Sequence, residues 1–241
     1  MSGCRSILLL LLLVTATAAE PAPFTSADEL TAWMARWYRQ PDPARLPAAF
    51  AYVMAKDRPE AVARSENLFA VFAGRIFAAS PQHLATCVAR WKQAVPDAKA
   101  ALLWAVWLSG TAESEALLRS EAAAQPPGSD LTARLMRMAD EPPPPPLGLS
   151  VDSPRMIAVW WAAFYATGDV AYVARIAELV APPGDASTTR LEVATTARAT
   201  LAANAREHAR VVQTLRVALA RSDGAMREAL TDILAEAGLQ P

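Results

Sequence analysis

His83 and Cys87 stand four residues apart, and on a helix that spacing brings two metal-ligating side chains onto one face. A zinc site needs a third and usually a fourth ligand, and the only other histidine is His208. Nucleophilic catalysis needs a Ser, Thr or Cys beside a base that a third group orients, and Cys87 with His208 is a pairing that only folding would assemble. No G-x-S-x-G or S-x-x-K motif occurs, and the glycines stand singly, mostly where helices would stop, so no phosphate-binding loop is formed. Glu113, Glu115 and Glu121 could supply paired carboxylates. They fall in a stretch that reads as a solvated helix face, not in an apolar setting that shifts a pKa. The sequence therefore assigns no catalytic residue, no metal ligand set and no cofactor.

Residues suited to binding are more plentiful. Of seven tryptophans, Trp33, Trp37, Trp91, Trp107 and Trp161 fall at core-stripe spacing, whereas Trp104 and Trp160 each add an aromatic beyond a single stripe. Either their helices are buried all round or one of these rings faces a groove, where tryptophan becomes a binding hot spot. Burial is the expectation for both, because large apolar side chains are mostly interior. Between residues 190 and 227 seven arginines stand against Glu192, Glu207 and Asp223. A spread-out excess focuses little field. Within it, Arg206 and Arg210 are four apart and share a face on the expected helix 206–221, and Arg216 does not extend that face. Trp104, Trp160, Arg206 and Arg210 are accordingly the candidates for meeting a partner, as the lesser alternative to burial for the tryptophans and to scattered solvation for the arginines.

The N-terminus supplies a compartment. Arg5 precedes the apolar run ILLLLLLV (7–14), and Ala16-Thr17-Ala18 fits a signal-peptidase site. Eight apolar residues fall far short of the roughly 20 that cross a bilayer, so residues 1–18 are expected to be cleaved and the rest exported without a membrane span. Cleavage removes Arg5 and no acidic residue, which takes the net charge from −1 to −2. That balance argues against nucleic acid, whose binders carry a concentrated basic face. Cys87 is then the single cysteine, so no intramolecular disulfide forms and stability must come from the core. Alanine above a fifth of the chain, with 20 arginines against Lys56, Lys92 and Lys99, suits a GC-rich bacterial genome and a periplasmic or secreted product.

The elements that must position these residues are helices throughout. Ser26 and Glu29 form an S-x-x-E capping box, and Leu30, Trp33, Met34, Trp37 and Tyr38 make one apolar stripe. Pro41, Pro43 and Pro47 break the chain, and Phe50 to Ala55 resumes the helix. Further starts are read at Pro59, at Ser80-Pro81, at Pro96-Asp97 and at Ser153-Pro154. LLWAVWL (102–108) is apolar on every side and predicts a central, buried helix. Asp130 to Asp140 predicts one more, and 188–204, 206–221 and 224–237 complete the chain. Between them Pro142 to Pro146 cannot be helical and predicts a stiff polyproline II segment, read first as a spacer and second as a proline-rich ligand for a partner domain.

Gly110 and Gly168 align two similar stretches, LLWAVWLSGT (102–111) over WWAAFYATGD (160–169). In each, an apolar helix stops at glycine, and Thr111 or Asp169 is placed to cap a second helix. On these residues the chain resembles tetratricopeptide and related helix–turn–helix repeats. The 58-residue offset departs from that family's period of about 34, and its W…G…Y…A…P pattern is missing, so the likeness is to a degenerate member. WWAAFYATGD with VAYVARI and the later LAANAREH is also similar to a set of uncharacterised exported bacterial proteins, a likeness that implies the helical fold and no chemistry.

The sequence thus predicts an all-α protein of about twelve short helices in stacked antiparallel hairpins, either α-solenoid-like or an irregular bundle. Residues 19–140 form one lobe, 141–152 a proline-rich linker and 153–241 a second lobe, behind a signal peptide at 1–18. The expected function is a non-catalytic scaffold that binds a protein or peptide partner in the cell envelope. The alternatives are a hydrolase of envelope polymers and a secreted factor acting on another cell.

Overall fold

Capping chemistry sets where the helices begin. Ser26 Oγ accepts from the Glu29 amide at 3.1 Å and starts α1 (Ala27–Arg36). Glu29 does not close the expected box on Ser26. Its carboxylate reaches Arg45 at 2.6 Å and, one residue further back than expected, the Thr25 amide at 2.9 Å. Arg45 and then Thr25 hold that carboxyl down at about 2. Pro47 does not delay the second helix until Phe50. Helix α2 runs Leu46–Val53 with proline in its first turn, where a missing N–H breaks no helical bond.

The computed structural model describes residues 22–55, 60–91 and 96–240, and side chains outside 60–66 and 90–101. The export signal expected at 1–18 and the start expected at Pro59 lie outside the described residues, as do Lys56 and Lys92. There follow α3 (Glu60–Ala79), α4 (Pro81–Trp91), α5 (Pro96–Ser109), α6 (Ala112–Ala123), α7 (Asp130–Asp140), α8 (Arg155–Thr167), α9 (Val170–Ala177), α10 (Thr188–Glu207), α11 (Ala209–Arg221) and α12 (Gly224–Glu236). Short 3-10 turns occupy Pro43–Arg45 and Pro146–Gly148. Among the described residues the fold is all-α, with twelve α-helices and no strand.

Two hydrophobic clusters hold these helices. The first gathers Trp33, Trp37, Phe50, Phe69, Phe72 and Phe77 with the inner residues of α4 to α7. The second gathers Trp160, Trp161, Phe164, Ile176, Leu201, Leu215 and Leu230 from α8 to α12. Helix α8 belongs to both. Its Ala162 and Ala166 lie in the first cluster, while its large residues fill the second. Small side chains let α8 lie close to α3, as Gly74 does for α5. A Cβ at Gly74 would stand 2.9 Å from both the Ala105 carbonyl oxygen and Leu108 Cβ. The Tyr38 amide, just past α1, donates to the Tyr165 carbonyl at 3.1 Å and joins the two clusters by backbone.

Candidate functional site

Helix α5 is not buried all round. Leu102, Ala105 and Val106 point into the first cluster, but Trp104 is 36% exposed. The reason is what packs on the helix. Helices α3 and α6, with smaller contributions from α2 and α4, pack on α5, and the side that carries Trp104 is only partly covered. Trp104 packs edge-on against Trp107, with ring centroids 5.3 Å apart, and the Arg134 guanidinium of α7 lies 5.5 Å from its centroid. Leu131, one turn earlier on α7, is exposed as well. An indole, a guanidinium and an aliphatic side chain on one surface are the residue types that anchor protein interfaces, although leucine is the weakest of the three.

Trp160 is the opposite case. It is 0% exposed, so it has no surface to offer a partner. Its Nε1 donates to the Pro146 carbonyl at 2.8 Å, and Trp107 Nε1 donates to the Glu141 carbonyl at 2.8 Å. Two indoles therefore grip the two ends of the polyproline run. At Pro145, φ is −61° and ψ 132°, the polyproline II values. The run is a strap laid on the helices, one end held by α5 and the other by α8.

Arg206 and Arg210 do not share a face. Helix α10 continues to Glu207 and breaks at His208, so the two arginines sit on different helices. Arg206 donates to the Glu236 carbonyl at 2.6 Å and Arg210 to the Gly168 carbonyl at 2.8 Å. Arg198 reaches Val180 O (2.7 Å), Arg39 reaches Glu207 O (2.9 Å) and Arg227 reaches Ser222 O (2.9 Å). Each helix from α8 to α12 thus has a guanidinium on a carbonyl at or just past its C-terminus. Those carbonyls have no partner within the helix and carry its negative end, so a cationic fork suits them.

The residues at the junction of the two clusters were not legible in the sequence. His208 is 1% exposed, and its Nδ1 shares a hydrogen bond of 3.0 Å with the Tyr38 hydroxyl, the donor being set by the ring's tautomer. The rings of Phe164 and Tyr165 both lie 5.6 Å from the imidazole, and the Tyr165 hydroxyl donates to Asn204 Oδ1 at 2.6 Å. Burial pushes His208 below its ordinary value of 6.5, assisted by Arg39. Burial also lifts Tyr38 and takes Tyr165 to about 12. All three are neutral at pH 7, which makes this a neutral polar knot between the two clusters. The only sequence signal for it is the polar residue set of LAANAREH, and its partner Tyr38 is 170 positions away.

Cys87 and His83 share α4, as their spacing predicts. Cys87 is buried in the first cluster, while His208 is ringed by Tyr38, Phe164 and Tyr165, so the structure does not present them as a pair. Among the described residues no group of three or more His, Cys, Asp or Glu could hold a metal ion. Glu113 and Glu115 lie on the exposed side of α6, where Glu115 pairs with Arg119 at 2.9 Å. Among the described residues no helix is long and apolar enough to cross a membrane. Comparison of the chain with models of known families, with curated proteins and with solved structures finds no match.

Proposed function

We propose that this protein is an exported helical scaffold that binds a protein or peptide partner in the cell envelope, with Trp104 as its anchor. The observation that carries this reading is the exposed Trp104 ring, braced edge-on by Trp107 and faced by Arg134. A large ring held in place by neighbours loses little conformational entropy when a partner covers it. Four arginines of the second cluster's helices, Arg198, Arg206, Arg210 and Arg227, support the same surface by elimination, because each is engaged on a carbonyl at a helix end. His208 is likewise taken up in its buried bond to Tyr38. Export rests on the N-terminal pattern of charge, apolar run and small residues.

The test is capture from envelope extract with cross-linking, comparing the exported chain with its Trp104→Ala and Arg134→Ala variants. The scaffold reading expects a partner that the wild type retains and Trp104→Ala loses. Equal recovery by all three proteins, or none even after cross-linking, sinks it.

A further inference from the structure

The polyproline strap shows two different edges. A polyproline II helix has three residues per turn, so positions three apart share an edge. Pro143 and Pro146 are half-buried against the protein, and Pro143 is the ring that approaches Gly110. Pro142 and Pro145, also three apart, are exposed, as is Pro144 between them. A strap needs rings only where it touches the helices, yet the outward positions are proline too.

The backbone of the strap is equally available. The indole clamps use the carbonyls of Glu141 and Pro146, and the Gly148 amide takes that of Pro145. Among the described residues, none donates to the carbonyls of Pro142, Pro143 or Pro144. Three acceptors are therefore left without a donor among the described residues, beside three exposed rings, and the backbone at Pro145 already has polyproline II dihedrals. The two indoles show how such a segment is read, by a flat ring whose N–H meets a strap carbonyl. Grooves that bind polyproline II use the same chemistry, and a preformed segment spares the entropy of ordering it. Leu147, 36% exposed, extends the apolar edge. Glu141 is exposed at the other end and makes no ion pair among the described residues.

We propose that the strap is a docking element: its two exposed edges, one carrying Pro142 and Pro145 and the other Pro144, seat in an aromatic-lined groove of a partner protein that reads polyproline II. The rim of that groove carries a cationic side chain opposite Glu141. This inference rests on the scaffold reading and names the kind of partner, since the strap joins the Trp104 surface through Trp107.

The test uses an isolated, isotopically labelled WW domain of the polyproline-reading type as the probe, titrated with the exported chain and followed by NMR. The wild type is expected to shift the groove resonances saturably, and the double variant Pro142→Ser/Pro145→Ser to bind roughly tenfold more weakly. Absence of groove shifts, or equal binding by the double variant, overturns the proposal. Should the double variant melt early, competition decides on the wild type alone: a free decaproline peptide must displace it from the groove, and failure to displace overturns the proposal. Trp104→Ala is expected to bind the WW domain as the wild type does. Failure of the strap proposal therefore reads in this titration, and failure of the scaffold reading reads in the extract capture.

Discussion

The two glycine-hinged hairpins, α5–α6 and α8–α9, begin from similar sequences and end in different surroundings. Both first helices stop at a left-handed glycine, Gly110 at φ +62° and Gly168 at φ +67°, and both second helices start on a side-chain cap. The difference lies at the third position of the alignment. It is Trp104 in α5 and Ala162 in α8. In α8 that side faces α3 and belongs to the first cluster, where only a small residue lets the helices approach. In α5 it faces outward, and a tryptophan stands there. Local sequence makes the hinge in both cases, and what packs on each helix decides whether its aromatics become core or surface.

The largest expected break in this comparison is at the tryptophans. Trp160→Ala empties a fully buried site and removes a strap clamp, and should cost about 4 kcal/mol in chemical denaturation. Trp104→Ala removes a ring that is a third in solvent, and should cost roughly 2 kcal/mol. Comparable losses at both positions would mean that α5 is as enclosed as α8.

The hinge glycines sharpen the contrast. A Cβ at Gly168 would stand 2.6 Å from an Arg210 guanidinium nitrogen and 2.7 Å from the Tyr38 ring, in a backbone that already disfavours side chains. Gly168→Ala should cost roughly 3 kcal/mol, from left-handed strain and overpacking together. At Gly110 the nearest atom is Pro143 Cγ at 3.6 Å, an ordinary contact, so Gly110→Ala should show the backbone strain alone, roughly 1 to 2 kcal/mol. Melting curves of the two variants separate these contributions, and equal shifts would show that the α8 hinge is no tighter than the α5 hinge.

Only the second hairpin abuts a titratable knot. Because burial lowers His208 in the folded state, the unfolded chain takes up its proton first as pH falls. The stability this group contributes is therefore complete above pH about 6.5 and declines below it. The groups facing it are Tyr38 from the end of α1, Tyr165 of α8, Arg39 and Glu207, and neither tyrosine titrates in that range. Denaturation between pH 8 and 5 should show falling stability with acid, and His208→Gln should flatten that slope. A wild-type slope that survives the substitution would assign the effect elsewhere.

What could be read in the sequence was what depends on neighbours along the chain. Gly168 and Asp169 announce a hinge because their conformations and hydrogen bonds are satisfied within a few residues. The stop of LLWAVWLS at Gly110 was readable for the same reason. The exposure of Trp104 was not, because an apolar helix reads as buried until one knows which of its sides is covered. Arg206 and Arg210 looked like a shared basic face, but the break at His208 separates them, and their acceptors are carbonyls 30 and 42 residues away. Charge counts register such arginines as surplus. In the fold they cover helix ends, and no periodicity announces that use. The Tyr38–His208 bond is the extreme case, since no local pattern relates residues 170 positions apart.

The smallest effects concern the caps, where the two hairpins should behave alike. Asp169 Oδ1 accepts from the Ala171 amide at 2.9 Å, and Thr111 Oγ1 accepts from the Ser114 amide at 3.2 Å. Asp169→Ala and Thr111→Ala should each cost about 1 kcal/mol, the usual loss of an N-cap hydrogen bond. Thr111 also belongs to a reciprocal box, in which the Ser114 hydroxyl receives the Thr111 amide at 3.0 Å, and that bond survives the substitution. Near-equality of the two losses would show that the hairpins share their hinge chemistry and differ only in what covers them. If Asp169→Ala left stability unchanged while abolishing partner capture, Asp169 would belong to a binding surface, and the likeness between the hinges would end at the glycines.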